Sequence, residues 1–228
     1  MRVAVIIPAL NEAESLPSVL ADLPNSLPGA QVKPVLVVDN GSTDNTAQVA
    51  ASCGAEVLHQ PKRGYGNACL AGLAHLAAAP PDAVVILDAD YSDHPEDLAV
   101  VLAPLLSGEA DMVLGDRTGL ATPGSLLPQQ RLGNALATRL IRLRTGHRYQ
   151  DMGPFRAISW EALSSLKMSD PTWGWNVEMQ MRAIQHGLRV REVPVRYRPR
   201  IGQSKISGTV RGSLKAGGRI LWAVWRYG

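Results

Sequence analysis

Short apolar runs rich in Val and Ile alternate, along the first half of the chain, with longer segments whose apolar residues recur at helical spacing. The runs predict buried strands at residues 3–7, 35–38, 56–59, 84–87 and 112–114. Helices are predicted at residues 12–23, from Ser42 or Thr43 to about Cys53, at 64–78 and at 95–106. Strands that alternate with helices are typical of βαβ units, so the predicted fold class is α/β with a mainly parallel sheet.

The second half of the chain is less regular. Residues 119–128 predict a loop, and the other expected elements are helices at 129–144 and 173–186, an extended segment at 151–159 and a strand at 190–197. We expect one domain over residues 1–207, followed by a basic amphipathic helix at 208–228.

Polar segments follow several of the predicted strands. They lie at residues 8–12, 39–44, 62–66 and 88–93. In open α/β sheets the ligand lies beyond the carboxyl ends of the strands. We therefore expect these four segments to converge on one crevice.

Asp88 and Asp90 come directly after the fourth predicted strand. In an extended segment, residues two apart point to the same side, where two carboxylates repel each other unless a cation lies between them. Mg²⁺ and Mn²⁺ prefer oxygen ligands and retain positions for phosphates, so we predict a divalent metal held by Asp88 and Asp90. The alternative is that these aspartates cap the next helix. Asp93 or His94 would either add a ligand or cap the helix that begins at Pro95.

The other strand ends offer binding groups of a different kind. Asp39 can accept hydrogen bonds from a nucleobase, or close a local turn. Glu12 can contact a base or ribose, or serve as a first-turn acid of a helix capped by Asn11. A basic pair beside a glycine turn at a helix N-terminus suits a phosphate, which makes Lys62, Arg63 and Gly64 candidates for that role, with a solvated surface pair as the alternative.

Three segments carry a family resemblance. Ile7-Pro8-Ala9-Leu10-Asn11-Glu12, Val38-Asp39-Asn40-Gly41-Ser42-Thr43-Asp44 and Leu87-Asp88-Ala89-Asp90 resemble the motifs of family 2 inverting glycosyltransferases of the GT-A fold. Within that family the segments at residues 115–117, 153–156 and 200–205 are similar to those of dolichol- and polyprenyl-phosphate mannosyl- and glucosyltransferases. The resemblance implies a Rossmann-like GT-A sheet, a nucleotide-sugar donor and Mg²⁺ or Mn²⁺ as cofactor.

The resemblance also implies roles for individual residues. Asp39 would read the base, Asp88 would lie near the ribose or the metal, and Asp90 would bind the metal. The remaining donor-site residues would be Pro8, Ala9, Asn11, Glu12, Lys62, Gly64 and Ala89. The residues around the phosphates would be Arg117, Arg131, Arg200 and Lys205.

Two departures from the family pattern matter. Residues 91–95 are one residue longer than the corresponding segment of relatives and lack the glutamine that lies near the metal there. The third metal ligand is therefore left open. The Gln-x-x-Arg-Trp motif of processive polysaccharide synthases is absent from the sequence, which argues against a polymerase.

The choice of acceptor depends on which groups surround it. A phosphate acceptor is already anionic, so it needs positioning and charge neutralisation rather than a strong base. The residues that suit this need are Arg117, Arg131, Arg156, Arg200 and Lys205. A hydroxyl acceptor would need a general base, for which Asp151 and Glu178 are the candidates, although a turn acid and a helix-surface acid are the alternatives. The predicted catalytic residues are thus Asp90, Arg117 and Asp151.

The charge is unevenly distributed along the chain. The net charge is +3, yet no acidic residue follows Glu192. The basic residues predicted on one face of the last helix are Arg211, Lys215, Arg219 and Arg226. With Trp222 and Trp225 at the boundary, this pattern is typical of a helix that lies on a membrane surface. The alternatives are a helix packed on the domain or in a homodimer interface.

The remaining features of the composition bear on the expected location and partners of the protein. No apolar run is long enough to span a bilayer, and no signal peptide is predicted. Cys53 and Cys69 lie outside any metal-type spacing and are interpreted as buried free thiols of a reducing compartment. Aromatic residues are sparse, so nucleic acid is not an expected partner. We expect a cytoplasmic protein, peripheral on the inner face of the membrane.

These observations combine into one predicted activity. The protein is expected to transfer a hexose, with inversion and with a divalent metal, from UDP-glucose or GDP-mannose to a polyprenyl or dolichyl phosphate. The first alternative is transfer to a soluble hydroxyl acceptor. The second is a non-catalytic module that binds nucleotide-sugars.

Overall fold

The structure is a computed structural model and describes residues 1–202 and 210–227. Within these residues eight strands form one sheet in the order β2-β3-β1-β5-β7-β6-β8, with β4 beside β3. The strands are β1 (Arg2–Ala9), β2 (Ser26–Leu27), β3 (Ala30–Asp39), β4 (Glu56–His59), β5 (Ala83–Ile86), β6 (Met112–Asp116), β7 (Arg156–Ser159) and β8 (Val190–Pro194).

Most neighbouring strands are parallel. β1 lies between β3 and β5 and is parallel to both, β4 is parallel to β3, and β8 is parallel to β6. β7 runs antiparallel between β5 and β6, so those two strands point in the same direction. The predicted α/β class with a mainly parallel sheet is confirmed, and the carboxyl ends of β1, β3, β5 and β6 share one edge.

Helices cover both faces of the sheet. They are α1 (Leu16–Asp22), α2 (Thr46–Ser52), α3 (Tyr65–Leu76), α4 (Leu98–Leu106), α5 (Pro128–Thr145), α6 (Trp160–Leu166), α7 (Trp175–Gln185) and α8 (Val210–Tyr227), with a 3₁₀ turn at Pro95–Asp97. Alternate residues of β1 point to opposite faces. Val5 and Ile7 pack in the core with α1, α2 and α4, whereas Ala4 and Ile6 pack in the core with α3, α5, α6, α7 and α8.

The first two helices begin later than predicted. Asn11 does not cap α1, because it adopts a left-handed backbone conformation with φ 53° and its side-chain oxygen accepts a hydrogen bond from the Thr43 N–H. α2 begins at Thr46, whose N–H donates to the Asp44 carboxylate. The intervening residues are thus used to join the loops after β1 and β3.

Two further sequence expectations need correction. The sequence pattern predicted no helix at Trp160–Leu166, where Ser159 caps a single short helix by accepting a hydrogen bond from the Ala162 N–H. Cys69 is buried as predicted, but Cys53 is exposed, because it follows the last turn of α2.

The C-terminal helix α8 lies on the domain beside α5 and α7. Ala223 and Val224 are buried there, and the Arg219 guanidinium donates to the Thr172 hydroxyl and the Asp170 carboxylate at 2.8 and 3.0 Å. The side chains of Arg211 and Lys215, which were predicted for its basic face, lie outside the described part of the chain. Among the helices that the structure describes, none combines the length and the apolar character needed to cross a membrane.

Candidate active site

A cleft of about 1040 Å³ opens at the shared carboxyl edge of the sheet. One side, here called the strand-end wall, consists of residues at or just beyond the carboxyl ends of β1, β3, β5 and β6, or just before α3. Its principal members are Pro8, Ala9, Glu12, Asn40, Arg63, Gly64, Asp88, Ala89, Asp90 and Arg117. The structure therefore brings together the polar strand ends, as the alternation of strands and helices predicts.

The carboxylate pair lies at the centre of this wall. Asp90 is buried, and its Oδ1 accepts hydrogen bonds from the N–H and hydroxyl of Ser92 at 2.9 and 2.5 Å, while its Oδ2 pairs with the Arg200 guanidinium. Burial and the neighbouring Asp90 carboxylate raise the pKa of Asp88 to about 7. Since Asp88 holds its negative charge poorly in the absence of a cation, the oxygen donors of this pair fit a hard divalent metal.

Asp93 does not cap the helical turn at Pro95, because His94 occupies the N-cap position. Its side chain is buried, and neither carboxylate oxygen has a hydrogen-bond partner among the described residues. Burial, followed by the charge of Asp88, raises the pKa of Asp93 well above its usual value. Residues 1–202 and 210–227 contain no group of three or more His, Cys, Asp or Glu side chains arranged for a metal. Asp93 is therefore not assigned as the third metal ligand.

Asp39 and Asn40, at the end of β3, have different structural roles. Asp39 accepts a hydrogen bond from the Ser42 N–H at 3.1 Å and lies 3.2 Å from Nδ1 of His59, so it closes the local turn that was its alternative role. Asn40 lines the cleft instead. Its amide donates to the Lys62 carbonyl and accepts from the Gly64 N–H at 2.9 and 2.7 Å.

These bonds set the course of the loop before α3. They bring Arg63 and Gly64 to the cleft, whereas Lys62 contributes only its backbone to the contacts that shape it. Gly64 has φ 139°, and a Cβ there would lie 2.2 Å from the Pro171 carbonyl oxygen. The loop thus depends on glycine at this position.

Arg117 and Asp151 form a buried ion pair. Nε and Nη2 of Arg117 donate to the two carboxylate oxygens at 2.7 and 2.9 Å, and the Arg117 N–H donates to the same carboxylate. Burial alone would raise the pKa of Asp151, but the charge and hydrogen bonds of Arg117 hold it below its usual value. The lowered pKa makes Asp151 a weak base, and its hydrogen bonds orient Arg117, which also lies over the Tyr197 ring. The role of Asp151 as a general base stays a prediction.

Glu178, the other carboxylate predicted as a base, is not among the described residues that line the cleft. It is buried, and its carboxylate accepts hydrogen bonds from the N–H groups of Ser169 and Asp170 and from Arg182. These contacts join the start of α7 to the loop before it. Glu178 therefore has a structural role.

Two of the predicted phosphate-binding arginines lie away from the cleft, and one predicted lysine is not described. Arg156 is fully buried and donates to backbone carbonyls of Gly153 and Pro154. Arg131 is exposed on α5 and is not among the described lining residues. Lys205 lies outside the described residues.

The opposite side of the cleft, here called the helix wall, was largely missed by sequence reasoning. Its members come from α5, α7, α8 and the loop before α7: Gln129, Gln130, Gly133, Asn134, Ala137, Thr172, Trp173, Asn176, Val177, Gly218, Arg219 and Trp222. These residues are far apart in the chain and carry no common motif. The one local signal was Trp173, at a predicted helix start.

Comparison with known proteins identifies the family. The model described as glycosyl transferase family 2 matches residues 4–165, which is most of the chain. The protein therefore belongs to glycosyltransferase family 2 and is a glycosyltransferase. An uncharacterized glycosyltransferase of Mycobacterium tuberculosis (strain ATCC 25618 / H37Rv) is 44% identical over 218 residues, 94% of each chain. The undecaprenyl-phosphate mannosyltransferase of Micrococcus luteus is 34% identical over 233 residues, 93% of this chain and 90% of that one.

Solved structures share the GT-A fold. Glucosyl-3-phosphoglycerate synthase from Mycobacterium tuberculosis, in complex with Mn²⁺, UDP and glucosyl-3-phosphoglycerate, has a TM-score of 0.77 at 23% identity, over 99% of this chain and 79% of that one. The same synthase in complex with phosphoglyceric acid has a TM-score of 0.78 at 25% identity, over the same shares of the two chains.

Proposed function

We propose that the protein transfers a hexose, with inversion and with Mg²⁺ or Mn²⁺, from UDP-glucose or GDP-mannose to a polyprenyl or dolichyl phosphate at a membrane surface. One observation carries the proposal: the lining of a single cleft combines charged groups with apolar side chains. The charged groups include Asp88, Asp90 and Arg200, and the apolar side chains are those of Ala137, Met152, Trp173, Val177 and Trp222. An isoprenoid phosphate combines the same two kinds of surface.

The donor diphosphate fits the strand-end wall. Asp88 and Asp90 would hold the metal, which when bound would neutralise the charge that develops on the nucleotide diphosphate as it leaves. Arg63 and the backbone at Gly64, beside the N-terminus of α3, provide positive potential for the same phosphates. Asn40 and Glu12 line the neighbouring part of the cleft, where the nucleoside would lie.

The acceptor needs no general base in this scheme. An oxygen of the acceptor phosphate forms a bond to the anomeric carbon of the sugar. At the same time the bond from that carbon to the nucleotide diphosphate breaks, and the electron pair of the broken bond leaves with the diphosphate. Arg117 and Arg200 both line the cleft, and a guanidinium suits a phosphate oxygen. The Micrococcus luteus relative named as an undecaprenyl-phosphate mannosyltransferase supports this acceptor class.

A soluble phosphorylated acceptor is the second candidate. It is favoured by the likeness to glucosyl-3-phosphoglycerate synthase in complex with phosphoglyceric acid. A hydroxyl nucleophile would, however, need a general base. Asp151 and Glu178, the two carboxylates predicted for that task, are both held by hydrogen bonds to the protein. This observation favours the phosphate nucleophile.

The test is transfer of labelled sugar from UDP-glucose and from GDP-mannose to undecaprenyl phosphate or to 3-phosphoglycerate, with Mn²⁺, with Mg²⁺ and with EDTA. We expect a metal-dependent lipid product from one donor. A product on 3-phosphoglycerate alone would replace the proposal with the second candidate. Asp90→Asn is the inactive reference, and Glu161→Gln, an exposed acid on α6, is the matched control.

A further inference from the structure

Helix α5 has a second apolar face that is exposed in the described part of the chain. Leu132, Leu136 and Leu143 are 73%, 44% and 74% exposed, whereas Ala137 and Ile141 on the other side of the helix are buried. Spacings of four and seven residues place the three exposed leucines along one line of the helix. A row of exposed leucines opposite a buried face indicates a surface that meets an apolar partner.

Basic residues border this row. The exposed arginines of α5 are Arg131, Arg139, Arg142 and Arg144. The sequence has no acidic residue between Asp116 and Asp151. The partner of α5 is therefore expected to be anionic as well as apolar.

Helix α8 continues the surface. It packs beside α5, and its Leu221 and Trp225 are 47% and 68% exposed. Arg226 is exposed next to them, and no acidic residue follows Glu192 in the sequence. Trp and Arg side chains are the residues that favour the headgroup region of a bilayer.

We propose that the exposed faces of α5 and α8 form one docking surface for an anionic phospholipid bilayer, here called the two-helix surface. The helix wall of the cleft is formed by the inner faces of the same helices, through Gly133 and Ala137 of α5 and Gly218 and Trp222 of α8. Docking would therefore bring the helix wall of the cleft close to the membrane. This link to catalysis rests on the proposed lipid acceptor, whereas binding of the surface to a bilayer does not.

A bilayer explains the observations better than other partners. Two copies of the two-helix surface would bring arginines against arginines without carboxylates to neutralise them. A nucleic acid would use the arginines but not a row of exposed leucines. An anionic lipid surface uses both the charge and the apolar row.

The test measures binding of the full chain to vesicles of phosphatidylcholine with and without phosphatidylglycerol, by co-sedimentation. The variant Leu132→Gln/Leu136→Gln/Leu143→Gln keeps good helix formers on α5 and removes the apolar row. We expect it to bind about tenfold or more weakly than the wild type. The control is Val100→Gln, an exposed apolar residue on α4, which packs on the opposite face of the sheet, and it should bind as the wild type does.

A second variant separates charge from apolar contact. Arg139→Gln/Arg142→Gln/Arg144→Gln should lose most of the preference for phosphatidylglycerol, as should the wild type at high salt. Wild-type binding by the leucine variant would overturn the proposal. The proposal would also be overturned if the wild type did not bind vesicles and light scattering showed that it forms a dimer which the leucine variant disrupts.

A transfer assay keeps this proposal distinct from the proposed function. With a short, water-soluble prenyl phosphate and no vesicles, the leucine variant should retain wild-type transfer. If the wild type binds anionic vesicles but transfers no sugar to any prenyl phosphate, the proposed function fails and the two-helix surface stands. If the wild type transfers sugar to a prenyl phosphate but does not bind vesicles, the proposed function stands and the two-helix surface fails.

Discussion

The two walls of the cleft differ in how far along the chain their charged groups find partners. On the strand-end wall, the Asp90 carboxylate is held by Ser92 two residues away, although Arg117 on the same wall pairs with Asp151, 34 residues away. Across the cleft, Arg219 of the helix wall pairs with Asp170, 49 residues away, and Arg200, another cleft residue, reaches Asp90 over 110 residues. The position of Asp90 thus follows from a local turn, whereas the arginine positions depend on the whole fold. Substitutions at the arginine contacts should therefore change stability as well as activity.

The largest expected effect lies on the strand-end wall. Asp90→Asn should lower the rate of sugar transfer by about 10²–10³-fold, because it removes a charge that would hold the metal beside the leaving group. The free energy of unfolding should fall as well, because the Arg200 guanidinium loses its buried partner. Steady-state transfer assays, Mn²⁺ titration by calorimetry and urea unfolding would measure the three quantities. Equal activity of Asp90→Asn and Glu161→Gln would exclude Asp90 from the reaction.

The next effect concerns the buried pair of Arg117 and Asp151. Asp151→Asn should lower the free energy of unfolding by about 3 kcal/mol, since it leaves a buried guanidinium without its counter-charge. Urea unfolding measures this loss. The exposed pair of Arg189 and Asp111 supplies the control, because Asp111→Asn should cost about 1 kcal/mol or less. Loss of transfer by Asp151→Asn with no loss of stability would support Asp151 as a catalytic base.

Arg200 offers a test that links the two walls. Its guanidinium pairs with the Asp90 carboxylate, where the metal is proposed to bind. Arg200→Ala should therefore bind Mn²⁺ about tenfold more tightly in the absence of nucleotide, because no internal cation competes. Binding of the nucleotide diphosphate should weaken. Calorimetry measures both affinities, and Arg198→Ala, which removes a guanidinium lying over the Tyr91 ring, is the control. Weaker Mn²⁺ binding by Arg200→Ala would contradict competition.

The smallest effect concerns Asp93. A carboxyl whose pKa is raised on folding stabilises the protein below its ordinary pKa and loses that contribution as the pH rises through the folded value. Asp93→Asn should therefore lose less stability than the wild type as the pH rises above the ordinary pKa of an aspartate, because burial and the charge of Asp88 raise the pKa of Asp93 in the folded protein. Urea unfolding of both proteins at several pH values across this rise gives the comparison. A reduced Mn²⁺ affinity in the same variant would instead indicate that Asp93 reaches the metal.

The sequence was most informative where structure is local. Apolar runs located β1, β3, β4, β5 and β6, and the residues that follow several of them form the strand-end wall. Alternation of strands and helices was enough to predict that these ends meet, because parallel strands place their carboxyl ends at one edge. Sequence reasoning was less accurate about turns: Asn11 looked like a helix cap, yet a contact with Thr43 from another loop decides its conformation.

The sequence by itself determined the α/β class, the carboxylate pair after β5 and the basic, apolar character of the last helix, because each depends on residues close together in the chain. Only the tertiary structure decided that Asp151 pairs with Arg117, that Arg156 is buried and that α5 and α8 lie side by side. These outcomes depend on packing between segments far apart in the chain. No spacing of residue types records which distant carboxylate or helix a side chain will meet.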